Sequence, residues 1–254
     1  MSVLAKILEN RKKSLPSPVF YRGLAVAKTQ RSFAEAIRKK GDRISLIAEL
    51  KRKSPSQGNL KENANVREVY EIYRPYAQAI SVLTEPNFFS GSLEDLREMR
   101  QLTELPLLRK DFIIDPVQVK EARYYGADAY LLIAAALSQS QLKELLEAGK
   151  ELGMEALVEV QNETELEWVL ELNIKILGVN NRNLHDLSLD LGRAPALFGR
   201  IPEERKKGLI LVAESGYSNR EDLKTLPPET DAVLIGSSLM QAKNPRQLLQ
   251  EMFG

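Results

Sequence analysis

Short apolar runs alternate with longer polar segments along most of this chain. The runs are rich in Val, Ile and Leu and lie near residues 45–50, 78–83, 106–109, 128–133, 155–160, 174–180, 208–213 and 231–235. Because these runs are short and bounded by Gly and Pro, they predict strands buried on both faces of a parallel sheet. The segments between them have helical periodicity, near residues 63–74, 92–102, 115–125, 138–151, 162–172, 190–198, 219–225 and 244–252.

Repeated strand–helix units predict a (β/α)8 TIM barrel, in which parallel strands close into a ring that helices cover. The chain has 254 residues, close to the length of about 250 that is typical of such a barrel. We expect the barrel to occupy residues 45–254. A doubly wound open sheet is the alternative arrangement of the same units.

Residues 1–44 precede the first predicted strand and are expected to form an N-terminal helical extension. An apolar stripe at helical spacing begins at Val3, and a second helix is expected to open at Ser32. The extension fits either a layer packed on the barrel or a lid over its mouth. If it is a lid, residues 1–40 are expected to be dispensable for closing the barrel.

The composition excludes several classes of protein. Hydrophobic residues make up 43% of the chain and charged residues 28%, and the net charge of +1 provides no basic face for nucleic acid. The chain has no cysteine and a single histidine, His185, which excludes disulfides, thiolate metal sites and a histidine-rich metal centre. No apolar run approaches the roughly 20 residues of a membrane span, and charged residues interrupt the N-terminus where a secretory signal would be apolar. We therefore expect a cytoplasmic protein.

Charged or amide side chains stand where the predicted strands end. They are Glu49, Lys51, Lys110, Glu159, Asn180 and Glu214. In a barrel these strand ends meet at one mouth, where the active sites of this fold lie. A lysine among other cations is expected there to have a lowered pKa, and a carboxylate beside apolar residues a raised pKa. Structural ion pairs are the competing interpretation, because buried charges must be paired or used.

Two loops that combine glycine with serine follow the last two predicted strands, at Ser215-Gly216 and Gly236-Ser237. Glycine permits close approach of the backbone, and backbone N–H groups in such loops bind phosphate dianions. Loops in this position are the common phosphate site of the fold. They predict a phosphorylated small-molecule substrate, and Gly236→Val is expected to block the phosphate.

Taken together, the strand-end motifs closely resemble those of the indole-3-glycerol-phosphate synthase family. The motifs are IAELKRKSPS at 47–56, LRKDFI at 108–113, VEV at 158–160, GVNNRNL at 178–184, AESG at 213–216 and LIGSSLM at 234–240. The resemblance extends from the N-terminal extension to the last helix, and it implies a stand-alone enzyme without a fused isomerase domain.

This resemblance implies a reaction without metal or cofactor. The substrate would be 1-(2-carboxyphenylamino)-1-deoxyribulose 5-phosphate, and the products indole-3-glycerol phosphate, carbon dioxide and water. Lys110 would be the acid of ring closure. Glu159, Lys51 and Glu49 would share the acid and base roles of dehydration, and the sequence leaves open which residue has which role.

The resemblance assigns the remaining site residues to orientation and binding. Asn180 and Glu214 would orient the substrate, and Ser215 would hold the local geometry. Arg182 would face the anthranilate carboxylate. The phosphate would be held by Ser54, Gly216, Gly236 and Ser237. We expect the apolar wall for the aryl ring to include Phe112 and Leu131, while Phe88, Phe89 and Leu187 fit this wall or ordinary packing equally well.

Two other functions use some of the same features. One is another phosphosugar-binding barrel enzyme such as phosphoribosylanthranilate isomerase, whose reaction needs one acid–base pair and no arginine for a carboxylate. The other is a non-catalytic barrel that retains phosphate affinity, which would not need so many proton-transfer groups. Whichever function applies, we expect this chain to be a monomer or weak homodimer with no nucleic-acid or membrane partner.

Overall fold

The computed structural model describes residues 2–254 and contains a closed ring of eight parallel strands. In order around the ring these strands are β1 (Ser45–Leu50), β10 (Ala232–Ile235), β9 (Ile210–Glu214), β8 (Ile176–Asn180), β7 (Glu155–Val160), β6 (Ala129–Ile133), β5 (Leu107–Lys110) and β4 (Ala79–Leu83). The predicted (β/α)8 barrel is therefore confirmed, and the doubly wound open sheet is wrong because the last strand pairs with the first.

Helices pack around the ring and across its two ends. They are α1 (Val3–Lys13), α2 (Pro18–Arg22), α3 (Phe33–Ile37), α4 (Val66–Tyr73), α5 (Pro86–Phe89), α6 (Leu93–Leu102), α7 (Pro116–Tyr124), α8 (Gln139–Glu151), α9 (Glu163–Leu170), α10 (Arg193–Gly199), α11 (Glu203–Lys206), α12 (Arg220–Lys224), α13 (Ser237–Gln241) and α14 (Pro245–Phe253). None of the helices within residues 2–254 has the length and apolar character needed to cross a membrane.

Some short elements have no counterpart in the sequence pattern. A hairpin of β2 (Lys53–Ser54) and β3 (Gly58–Asn59) follows β1. Helices α2 and α5 begin at Pro18 and Pro86, which suit the first turn of a helix because proline lacks the N–H that would be unpaired there. Each of these elements is too short to show a hydrophobic period, so periodicity alone does not reveal them.

Side chains of the strands alternate between the barrel interior and the surrounding helices. The interior holds apolar side chains such as Ile47, Leu108, Leu157, Val212 and Leu234. The next inward position on each strand lies two residues further along, because strand side chains repeat with a period of two. Those positions hold Glu49, Lys110, Glu159, Glu214 and Gly236. The interior therefore changes from apolar to charged towards the C-terminal ends of the strands.

Two of the three helices that precede β1, namely α1 and α3, cover the two ends of this interior, whereas α2 packs against α7. Helix α1 places Leu4 and Ile7 against the mouth. Helix α3 closes the opposite end, where the N–H of Ala34 donates to Glu155 Oε2 at 2.8 Å at the start of β7. Phe33 of α3 is 0% exposed and packs in the same interior cluster. The packing therefore argues against the expectation that residues 1–40 are dispensable for closing the barrel, while α1 retains the position of a cover.

We predict that Phe33→Ala destabilises the fold strongly. Removing a fully buried phenylalanine leaves a cavity and costs about 3–5 kcal/mol. Phe20→Ala is the matched control, because Phe20 belongs to the same extension but is 57% exposed. Denaturant unfolding of both variants measures the difference in unfolding free energy, and equal small losses would show that α3 is not a structural plug.

Candidate active site

A cavity of about 470 Å³ opens at the C-terminal ends of the strands. Its lining contains every residue assigned to the site from sequence except Glu214, namely Glu49, Lys51, Ser54, Lys110, Phe112, Leu131, Glu159, Asn180, Arg182, Ser215, Gly216, Gly236 and Ser237. Glu214 is 1% exposed and contacts Lys110 from below the lining. The structure thus brings together side chains from seven of the eight barrel strands or the loops that follow them.

The floor of the cavity carries one ammonium group between two carboxylates. Lys110 Nζ lies 3.5 Å from Glu214 Oε2 and 3.7 Å from Glu159 Oε2. Neither carboxylate has a hydrogen-bond partner among the described residues, although all four oxygens are buried. Buried polar atoms are normally hydrogen-bonded, so these oxygens are suited to accept hydrogen bonds from a bound molecule.

A second ion pair lies beside the first. Lys51 Nζ is 2.9 Å from Glu49 Oε1, as expected for residues two apart at a strand end. Glu49 is almost completely buried, whereas Lys51 reaches partly into the cavity. The cavity therefore presents two ammonium groups, on β5 and after β1, each held by carboxylates.

The electrostatics of Lys110 differ from the sequence-based expectation. Burial favours the neutral amine and acts to lower the pKa of Lys110, but the charges of Glu214 and Glu159 outweigh it and raise this pKa above its ordinary value. The expected lowering is wrong because the groups that face Lys110 are carboxylates and not cations. Lys110 is therefore a fully charged hydrogen-bond donor at neutral pH.

The expected raised carboxylate pKa is found at Glu214. Burial, and then the neighbouring charge of Glu159, raise the pKa of Glu214 to about 8, against a smaller opposing effect of Lys110. Near neutral pH this side chain therefore holds a proton that it can share with its surroundings. The sequence pattern does not distinguish Glu214 from Glu159 in this respect.

Two glycines, Gly178 inside β8 and Gly236 directly after β10, make room for the carboxylates. A Cβ atom at Gly178 would overlap Glu214 Oε1, and one at Gly236 would overlap Glu49 Oε1. A glycine inside a strand is usually unfavourable, and close approach of another group is a common reason for one. Gly236→Val would therefore displace Glu49, so that variant does not report on phosphate as the sequence analysis expected.

The turn after β9 is held in an unusual backbone conformation. Ser215 has φ 70° and Gly216 has φ 96°, a region that L side chains rarely adopt. Asn181 Nδ2 donates to the carbonyl of Ser215 at 3.0 Å and to the Tyr217 hydroxyl at 2.9 Å. Asn181 thus positions this turn from behind the site, and its place beside Asn180 at a strand end is the sequence signal for it.

Apolar side chains line part of the cavity. Phe112 and Leu131 lie there as expected, and Phe89 and Leu187 join them. Phe88 packs on the interior cluster and is not part of the lining. Further apolar lining comes from Ile133, Leu184, Val3, Leu4 and Ile7.

Arg182 is oriented by the loop that follows β8. Its Nη1 donates to the carbonyl of Leu187 at 2.9 Å, and burial lowers the pKa of its guanidinium. His185 in the same loop is exposed and does not line the cavity. Arg182 therefore supplies a cationic group to the cavity lining, held beside Leu187.

Comparison with known proteins identifies the relatives of this chain. The sequence model of the family described as Indole-3-glycerol phosphate synthase matches residues 3–252. The Indole-3-glycerol phosphate synthase of Lachnospira eligens is 42% identical over 250 residues, covering 98% of this chain and 92% of that protein. The protein of the same name from Aquifex aeolicus is 44% identical over 224 residues, covering 87% of this chain and 85% of the relative.

Two further matches bear on domain organisation and fold. The Tryptophan biosynthesis protein TrpCF of Buchnera aphidicola is 41% identical over 249 residues, covering 95% of this chain and 53% of that protein. The crystal structure of 3-hexulose-6-phosphate synthase from Salmonella typhimurium superposes with a TM-score of 0.59 at 14% identity, covering 82% of this chain and 96% of the other. The second match supports the barrel fold alone.

We predict that Glu214→Gln gains stability relative to the parent as the pH rises from 5 to 8. The folded protein keeps the Glu214 proton to about pH 8, whereas an unfolded chain releases it near the ordinary pKa of 4.5. Raising the pH between these values therefore destabilises the parent, by up to about 1.4 kcal/mol per pH unit for one proton. Glutamine has no such proton. Unfolding free energies measured across this range test the prediction, with the exposed Glu167→Gln as control, and parallel pH profiles for parent and Glu214→Gln would contradict it.

Proposed function

This chain belongs to the indole-3-glycerol phosphate synthase family, and from that premise we propose how its site carries out the family's reaction. The enzyme is a carboxy-lyase of tryptophan biosynthesis that acts on 1-(2-carboxyphenylamino)-1-deoxyribulose 5-phosphate. It closes the indole ring with loss of carbon dioxide and water. The observation that carries the assignment of roles is the ammonium group of Lys110 between two carboxyl groups on the cavity floor whose oxygens have no hydrogen-bond partner among the described residues.

The substrate lies across the barrel. The loops after β9, β10 and β1 are neighbours in the ring, and they place Gly216, Ser237 and Ser54 on one side of the cavity. Strand β6, with Leu131, lies four strands away from β10 and is therefore diametrically opposite. The phosphate binds at the first side and the aryl ring at the second, with Arg182 facing the aryl carboxylate. The ketone then lies over the charged floor between them.

Lys110 acts in ring closure. The aromatic carbon that bears the carboxylate attacks the ketone carbon, and the ketone oxygen gains negative charge. Lys110 donates a hydrogen bond and then its proton to this oxygen, because an alkoxide is a stronger base than the lysine amine even when the lysine pKa is raised. Hydrogen-bond donors that already point at the developing charge avoid the reorganisation energy that water would require.

The carboxylates act on the cationic intermediate that ring closure creates. Glu159 lies on the cavity floor and stabilises the positive charge shared with the ring nitrogen, whereas Glu214, which keeps its proton near neutral pH, can only contribute a hydrogen bond there. Carbon dioxide then leaves and its bonding electrons neutralise the ring. Dehydration removes the new hydroxyl group and a proton from the carbon next to nitrogen. Lys51, paired with Glu49, assists departure of the hydroxyl, and Glu159 accepts the proton.

The competing functions receive less support. An isomerase would need one acid–base pair, whereas this cavity has two ammonium groups paired with separate carboxylates. The family match covers residues 3–252, which is nearly the entire chain. We also propose a monomer or weak homodimer, since large apolar side chains exposed among residues 2–254 are limited to Val19, Phe20, Tyr124 and Leu189, fewer than an obligate interface needs.

We predict that Lys110→Met lowers kcat by at least about 10²-fold, the usual contribution of a general acid. Methionine keeps most of the volume of the side chain but cannot donate a proton. Lys150→Met is the control, because the Lys150 side chain is 78% exposed on α8. Appearance of indole fluorescence after addition of the substrate measures turnover, and a folded Lys110→Met enzyme with parental kcat would remove Lys110 from the mechanism.

We predict that Ser237→Asp weakens phosphate binding. A carboxylate beside the phosphate costs several kcal/mol through like-charge repulsion, so KM for the substrate should rise at least about tenfold. The affinity for inorganic phosphate, measured by calorimetry, should fall in parallel. Ser140→Asp at the exposed start of α8 should change neither. Unchanged phosphate affinity in Ser237→Asp would place the phosphate elsewhere.

A further inference from the structure

A buried network of charges lies behind the strand that carries Lys110. Arg109 and Asp111, the two neighbours of Lys110, are each 1% exposed. Arg109 Nη2 lies 3.0 Å from Asp111 Oδ2, and Arg109 Nη1 lies 2.9 Å from Glu121 Oε2 on α7. The network therefore flanks Lys110, and although Asp111 borders the cavity, its carboxylate pairs with Arg109 and not with the charged groups of the floor.

The N-terminal extension completes this network at two points. Arg11 of α1 donates from Nη2 to Asp111 Oδ1 at 2.5 Å. The hydroxyl of Tyr21 in α2 donates to Glu121 Oε1 at 3.0 Å. Each buried carboxylate thus has one partner from the extension. With Arg11 present, two guanidinium groups balance two carboxylates, and without it one buried negative charge lacks compensation.

Asp111 has a partner for each of its oxygens. Oδ1 accepts from Arg11 and from the N–H of Phe112 at 2.8 Å, and Oδ2 accepts from Arg109 and from Thr84 Oγ1 at 2.6 Å. Burial acts to raise the pKa of Asp111, but the charges of Arg109 and Arg11 outweigh it and lower this pKa, so the carboxylate stays ionised. Asp111 therefore fixes the end of β5 rigidly, one residue from Lys110.

We propose that Arg11 is a positioning residue for the reaction, which acts through Asp111 on the placement of Lys110. The same helix presents Leu4 and Ile7 to the cavity, so docking of α1 both completes the apolar wall and neutralises Asp111. Closure of the cavity is thereby coupled to the position of the acid. The proposal rests on the proposed role of Lys110 in ring closure.

This coupling predicts that substitution of Arg11 has a different kinetic effect from substitution of residues that only cover the cavity. Without Arg11, the carboxylate of Asp111 is attracted to the remaining cations. One of them is the side chain of Lys110, the residue directly before it. Misplacement of a catalytic group by about 1 Å costs about 10²-fold in rate. We therefore expect Arg11→Ala to lower kcat by about 10- to 100-fold. Leu4→Ala, which removes only wall contact, should act mainly on KM.

The experiment measures kcat, KM and the melting temperature of Arg11→Ala, Arg11→Lys and the control Lys12→Ala, an exposed position on the same helix. Millimolar guanidinium should restore kcat of Arg11→Ala in a saturable manner and leave the parent and Lys12→Ala unchanged. If Arg11→Ala does not fold, Arg11→Lys keeps the charge but loses the guanidinium geometry and should show a partial loss of kcat. A folded Arg11→Ala or Arg11→Lys enzyme with parental kcat overturns the proposal.

A double-mutant cycle separates this proposal from the proposed function. If Arg11 acts through Lys110, the effect of Arg11→Ala on kcat should disappear in a Lys110→Met background. Full additivity of the two losses would overturn the positioning role and leave the role of Lys110 intact. Parental kcat in Lys110→Met alone would instead overturn the assignment of the acid.

Discussion

The placement of the Lys110 ammonium group among buried carboxylates is the interaction on which the rest of the site depends. Burying the Lys110 ammonium group without a partner would destabilise the folded barrel, and so would burying Glu159 and Glu214 without one. Held within 4 Å, they compensate one another while the carboxylate oxygens still lack hydrogen bonds. The site is therefore stable enough to fold and yet incompletely satisfied, and binding of a substrate with hydroxyl groups completes it.

The barrel makes this arrangement possible through its layers. Apolar side chains fill the interior beneath the charged floor, so water does not reach the carboxylates from below. Gly178 and Gly236 leave the space that the carboxylates of Glu214 and Glu49 occupy. Low surrounding polarity then raises the pKa of Glu214 and strengthens each charge interaction on the floor. Packing below the site thus determines its proton chemistry.

The extension joins both ends of the barrel to this chemistry. Helix α3 closes the bottom through Phe33, and α1 reaches the mouth, where Arg11 meets Asp111. Its helices therefore differ in role, since α3 belongs to the core and α1 belongs to the cavity. A single description as layer or lid does not fit both.

Much of the fold and the candidate site follows from the sequence alone. Short apolar runs predict the strands, and the period of two places Glu49, Lys110 and Glu159 inward at one end of a closed barrel. The family resemblance adds the reaction, because its motifs lie at those same strand ends. These inferences succeed because they need only local patterns and the closure rule of the fold.

Tertiary structure alone decided the features that depend on distant neighbours. Arg11 and Asp111 lie 100 residues apart in sequence, and no local pattern pairs them. The direction of the Lys110 pKa shift depends on which charges face it across the barrel, and the one cation next to it in sequence, Arg109, points towards Gln118 instead. The absence of a side chain at Gly236 also matters only in the closed barrel, because it leaves the space that the Glu49 carboxylate occupies. Charge interactions and steric overlap act through space, so they are determined only when the strands have closed.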